Sequence, residues 1–103
     1  MEVKPTLLKP DGGSQQLEPR NGTYFTVEEL EALVGGKDLQ IAKVARDKGY
    51  LISNWKTEKS DSNFNDEATL IYCMSHGFMD TIYGDAVLCP TEMFKNYYDT
   101  QKD

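Results

Sequence analysis

The sequence predicts an α+β fold in which an antiparallel sheet of about five short strands carries two capped helices packed on it and a C-terminal helix. Three observations lead there. Short apolar runs are divided by tight-turn dipeptides, as in hairpins; two segments open on a helix-capping residue and close on glycine; and strands do not alternate with helices as a parallel Rossmann-type sheet requires. At 103 residues and 39% hydrophobic content the chain supports one modest core. One domain is therefore expected, with its core over about 3–90 and a helix or tail over 91–103.

Val3 to Leu8 is an apolar-rich stretch interrupted by Pro5, followed by Pro10-Asp11-Gly12-Gly13 and then Ser14 to Glu18. Asp-Gly and Gly-Gly favour tight turns, so this is a hairpin, with Pro5 on an edge strand where its missing N–H costs no ladder bond. Pro19-Arg20-Asn21-Gly22 marks a second turn. In Phe25-Thr26-Val27-Glu28-Glu29-Leu30, Thr26 caps a helix, Glu29 reaches back to the cap and Phe25 staples against Leu30. Leu30, Leu33 and Val34 share a face, and Gly35-Gly36 ends the helix. Asp38 to Ala45 reads as a strand with a bulge near its end, Asp47-Lys48-Gly49 as a turn, and Tyr50 to Trp55 as the partner strand.

Residues 56–63 are polar without periodicity and form a loop. Asn63 or Asn65 caps the next helix, whose first turn holds Asp66 and Glu67 where carboxylates meet the positive end of the dipole. Ala68, Ile71, Tyr72 and Ser75 make its apolar stripe with Leu70 and Met74 beside it; His76 stands in the last turn and Gly77 closes it. Tyr83-Gly84-Asp85 is a turn, and Ala86 to Cys89 a short buried strand ended by Pro90. Thr91 to Tyr98 is expected to form the terminal helix, and its apolar residues Met93, Phe94, Tyr97 and Tyr98 to make a homodimer contact.

The net charge is −6, and it is unevenly placed: residues 1–59 hold nine basic and nine acidic side chains, residues 60–103 two and eight. That argues against a broad basic face for nucleic acid. No run reaches the length of a membrane helix and no apolar leader is visible, so a soluble, intracellular protein is expected. Two cysteines are too few for a disulfide framework and read as reduced, mostly buried thiols.

Candidate chemistry is sparse. Cys73 and His76 share a helical face as a minimal nucleophile and base, but one histidine and a mid-helix thiol point to packing rather than catalysis. Cys73, His76 and Cys89 with Asp80 or Asp85 would be a zinc set of unusual spacing, so no metal is assigned. No phosphate-loop or dinucleotide motif occurs, and no cofactor is expected. Among Tyr24, Tyr50, Trp55, Phe64, Tyr72 and Phe78 most read as core, although an aromatic can stack a base. Lys43, Arg46, Lys48, Lys56 and Lys59 read as a solvated strand edge, and Arg46, Tyr50, Trp55 and Lys56 are the residues that would line a small-ligand pocket. Asp61, Asp66, Glu67, Asp80, Asp85 and Glu92, with Asp99 and Asp103, would form an acidic face for a protein that normally grips DNA.

The order Asn21-Gly22, Phe25-Thr26-Val27-Glu28-Glu29-Leu30, Val34-Gly35-Gly36, Asn65-Asp66-Glu67-Ala68-Thr69 with Tyr72, and Gly84-Asp85-Ala86-Val87-Leu88 resembles the small phage- and mobile-element-associated proteins catalogued as domain of unknown function 3846. The resemblance covers about residues 4–90. It implies a phage, prophage or plasmid accessory protein in a bacterial cytoplasm and brings no catalytic residues. The expected function is therefore non-enzymatic: binding of a host protein, inhibiting a nuclease-based defence system. A small-ligand binder that sequesters a nucleotide signal is the alternative, and an enzyme using Cys73 and His76 the third class.

Overall fold

A computed structural model describes residues 3–46, 48–77 and 80–94. Its strands are β1 (Thr6–Leu8), β2 (Ser14–Gln16), β3 (Leu39–Val44), β4 (Gly49–Asn54) and β5 (Ala86–Pro90); its helices are α1 (Val27–Val34) and α2 (Asp66–His76). The strands form one sheet in the order β2-β1-β5-β4-β3, every neighbouring pair antiparallel. The predicted α+β class, five-stranded antiparallel sheet and two helices are all present.

Strand alternation divides the core into two layers, because successive side chains point to opposite sides of a sheet. Leu7, Ile52, Val87 and Cys89 pack with Phe25, Leu30 and Val34 on the α1 side. Leu8, Leu51 and Ala86 pack with Ala68 and Tyr72 on the α2 side. The helices thus lie on opposite faces, and β5 is buried between them. This is why Ala86-Val87-Leu88-Cys89 is apolar without alternation.

In α1, Thr26 Oγ1 accepts the Glu29 N–H at 3.1 Å, and Gly35 takes the left-handed C-cap conformation at φ +82°. The expected reciprocal contact is different. The Glu29 carboxylate accepts the N–H of Arg20 at 3.1 Å, so it ties the preceding loop to the helix. The hydrophobic staple forms, with Phe25 and Leu30 both fully buried.

The β3–β4 hairpin also departs from expectation. Its register runs without a bulge from Leu39↔Asn54 to Val44↔Gly49. The chain reverses through Ala45 and Arg46, both at positive φ, and the Lys48 N–H donates to the Ala45 carbonyl. Gly49 belongs to the strand: a Cβ there would meet Val3 Cγ1 at 3.0 Å and the Cys89 carbonyl at 3.1 Å.

The residue before α2 ties that helix to the sheet and to the segment entering β5. Asn65 is 0% exposed, and each of its polar groups is bonded. Its Nδ2 donates to the Leu8 carbonyl at 3.0 Å and to the Gly84 carbonyl at 2.7 Å, while Oδ1 accepts the Ala68 N–H at 3.1 Å. Its backbone N–H donates to Ile82 O, and its carbonyl accepts the Thr69 N–H. Thr69 Oγ1 then accepts the Ile82 N–H at 2.9 Å, and the Gly84 N–H donates to Asn63 O at 2.7 Å. Segment 80–85 is thereby laid along α2, in the direction that delivers Ala86 to the sheet.

The C-terminal helix expected over Thr91–Tyr98 falls largely on residues outside those described; Thr91–Met93 form a 3-10 turn. Met93 and Phe94, expected at a self-association contact, are half-buried. They pack on the α1-side core, with the Phe94 ring 4.4 Å from Tyr50 and Met93 O accepting the Phe25 N–H at 2.8 Å. Tyr97 and Tyr98 lie outside the described residues.

Replacing Asn65 by Ala strands one buried and one half-buried carbonyl and one helix N–H. With unsatisfied buried groups costing about 1–3 kcal/mol each, a loss of roughly 3 kcal/mol or more is expected. Asn63→Ala, which removes only the Nδ2 bond to Glu58 O, should cost under about 1 kcal/mol. Urea midpoints of the two variants check the difference.

Candidate functional site

The pocket residues picked from sequence do not converge. Tyr50 lies on the α1 side against Phe94, whereas Trp55, in the turn after β4, lines a cleft with Ser53 and Asp80 on the α2 side. Arg46 sits at the closed end of the β3–β4 hairpin, and Trp55 and Lys56 follow its open end, separated by β4 or about 20 Å of strand.

Trp55 and its neighbours nonetheless form a site. Trp55 is 56% exposed, and its main chain is tied to the residue that precedes β3. The Trp55 N–H donates to Asp38 O at 3.0 Å, Lys56 Nζ stands 5.4 Å from the ring centroid, and the same ammonium pairs with Asp38 at 3.7 Å. That exposed ion pair adds little stability, but it restricts the loop. Trp55 lines a cleft of about 180 Å³ together with Gln40, Ser53, Lys59, Asp80 and Tyr83. Gln40 and Ser53 are cross-strand partners, and Asp80 accepts the Thr81 N–H through Oδ1 at 3.0 Å.

The acidic residues are not one face. Asp61, Asp66, Glu67 and Asp85 gather at the start of α2, where Asn65 binds Gly84 and places Asp66 and Asp85 on adjoining turns. Between them the Phe64 and Tyr83 rings meet edge to face at 6.3 Å, with Phe64 38% exposed. Asp80 stands near the other end of α2, its carbonyl 3.9 Å from Cys73 Sγ. Glu92 follows β5, whereas Asp85 precedes it, so the whole strand separates the two.

Sulfur and imidazole are distributed likewise. His76 stacks on Tyr72 at 4.4 Å, one helical turn apart, at the exposed end of α2. Cys73 is on the α2 side and Cys89 is buried in the α1-side core, so the sheet divides the zinc set that spacing suggested. Burial, reinforced by the nearby Glu92 carboxylate, pushes the Cys89 thiol up to about 12. Leu70 and Met74, expected beside the apolar stripe, are exposed instead, because Thr69 occupies the inner position to bond Ile82.

No protein-family model, curated protein or solved structure matches the chain. Among the described residues no helix is long and apolar enough to cross a membrane. Gln40, Ser53 and Tyr83 went unread as site residues. Register pairs the first two, but Tyr83 reaches the cleft only through the bonds that lay segment 80–85 along α2.

Two outcomes follow for the thiols. At pH 8 a thiol reagent should modify half-buried Cys73 well before Cys89, and both on unfolding, as counted by mass spectrometry. The raised Cys89 value leaves stability unaffected below pH 9; above it the unfolded thiol ionises first, so stability falls as pH rises from 9 towards 12. The slope from this group approaches about 1.4 kcal/mol per pH unit. Denaturation midpoints from pH 9 to 11 should fall more steeply in the parent than in Cys89→Ala.

Proposed function

We propose that this chain is a non-enzymatic binding protein that covers a basic surface of a partner protein with the acidic edge at the start of α2. The observation that carries the reading is the Phe64–Tyr83 pair, left partly open beside the turn that begins at Asp61, the α2 N-terminus at Asp66 and the segment bearing Asp85. Protein contacts concentrate their energy at aromatic anchors within a polar rim, and complementary charge speeds encounter and selects partners. Asp66 and Glu67 also favour the helix N-terminus, but Asp85 stands outside any helix.

The resemblance to mobile-element proteins supports a host protein in a bacterial cytoplasm as partner. Nucleases hold DNA in basic grooves, so a component of nuclease-based defence offers the complementary chemistry. Occupying that groove would exclude DNA and inhibit the system.

The test is affinity capture from host lysate with the tagged chain, a Phe64→Ala/Asp66→Lys/Asp85→Lys variant and a Glu28→Lys control on α1, followed by DNA cleavage by the captured protein. At least tenfold weaker capture by the triple variant alone, and slower cleavage when the parent is added, are the expected results. Equal capture by all three, or cleavage indifferent to the parent, rejects the reading.

A further inference from the structure

We propose that the cleft beside Trp55 binds a free nucleotide, with the base stacked on the indole and the phosphate held outside by Lys59. The inference stands apart from the acidic edge and does not depend on it.

Trp55 is the one tryptophan of the chain, and its ring is 56% exposed where it lines the cleft, so an aromatic face is open to a planar ligand there. A main-chain bond to Asp38 anchors the backbone of Trp55, and the Lys56 ammonium stands over one face of its ring. Base stacking on such a platform is tolerant of sequence and strong for a single ring. The cleft supplies an edge as well as a face. Gln40 and Ser53 are paired across β3 and β4 on the Trp55 side, and Ser53 is only 3% exposed while lining the cleft. An amide and a hydroxyl there offer donors and acceptors to a base, and glutamine matches adenine through both its amide groups.

Size and charge narrow the ligand. A volume of about 180 Å³ is below the roughly 300–1,000 Å³ of pockets that enclose drug-sized molecules, so it admits a base but leaves sugar and phosphate outside. Lys59 lines the cleft without an ion-pair partner among the described residues and is placed to take the phosphate. Asp80 on the same cleft suits the ribose hydroxyls and, with a net charge of −6, disfavours a polyanionic strand. A cationic side chain from a peptide would instead meet Lys56 and Lys59.

The single indole N–H resonance makes the test direct. Adding AMP or GMP to the intact protein should shift that resonance to saturation, with a dissociation constant at or below about 1 mM. Lys59→Ala should weaken AMP about fivefold and adenosine much less; Gln40→Ala should weaken both. Trp55→Ala should abolish line broadening of AMP at an unchanged urea midpoint, since the ring is exposed. No saturable shift up to about 10 mM of either nucleotide overturns the proposal. So does the same shift produced by inorganic phosphate alone, or at least tenfold tighter binding of a single-stranded oligoadenylate than of AMP. Failure here leaves the acidic-edge reading untouched, because that reading is decided by partner capture.

Discussion

The fold depends on a buried amide with no polar group left over. Asn65 joins the end of β1, the segment entering β5 and the first turn of α2 through one side chain. Most buried polar groups cost stability unless paired, and partial satisfaction is worse than none. Here full satisfaction makes the position intolerant. Aspartate could still accept from Ala68 but would turn carboxylate oxygens on the carbonyls of Leu8 and Gly84; leucine would leave all three partners unmatched. The interaction therefore specifies the arrangement as well as stabilising it, because β1, the segment entering β5 and α2 are all referred to one residue.

From this follow the positions of the surface features. Bonding of Ile82 to Asn65 and Thr69, and of Gly84 to Asn63 and Asn65, lays segment 80–85 along α2. Tyr83 is thereby set against Phe64, and Asp80 is brought into the Trp55 cleft. Strand register supplies the other half, since pairing of Gln40 with Ser53 puts an amide and a hydroxyl beside the indole. The aromatic pair at the acidic edge and the cleft share Tyr83 and rest on the same rigid support.

What was legible in the sequence was the chemistry of neighbours along the chain. Thr26 as a cap, Asn65 as one of two candidate caps with Asn63, Gly35 and Gly77 as stops, and the Asp11-Gly12-Gly13 reversal all act within a few residues. Where a distant group competes, local reading fails: Glu29 forms no reciprocal cap contact because the Arg20 N–H reaches it. The motif of Asn65, Ala68, Thr69 and Tyr72 was visible, but its meaning was not, since Asn65 binds a carbonyl 57 residues away. The Arg46, Tyr50, Trp55 and Lys56 pocket failed for a simpler reason. Closeness in sequence does not survive the length of β4, which carries Tyr50 to the α1 side and leaves Trp55 in the turn beyond the strand's end, on the α2-side cleft. Gly49 was read as a turn residue because its need for close approach to Cys89 arises only once β4 and β5 pair.

Native-state hydrogen exchange tests the central role of Asn65 most directly. The Ala68 and Ile82 amides, bonded to Asn65 Oδ1 and Thr69 Oγ1, should exchange only through global unfolding, with the same urea dependence as the Leu51 amide in β4. Exchange of those two amides through local openings, insensitive to low urea and faster than Leu51, would show that the sheet stands without this knot and would contradict the account.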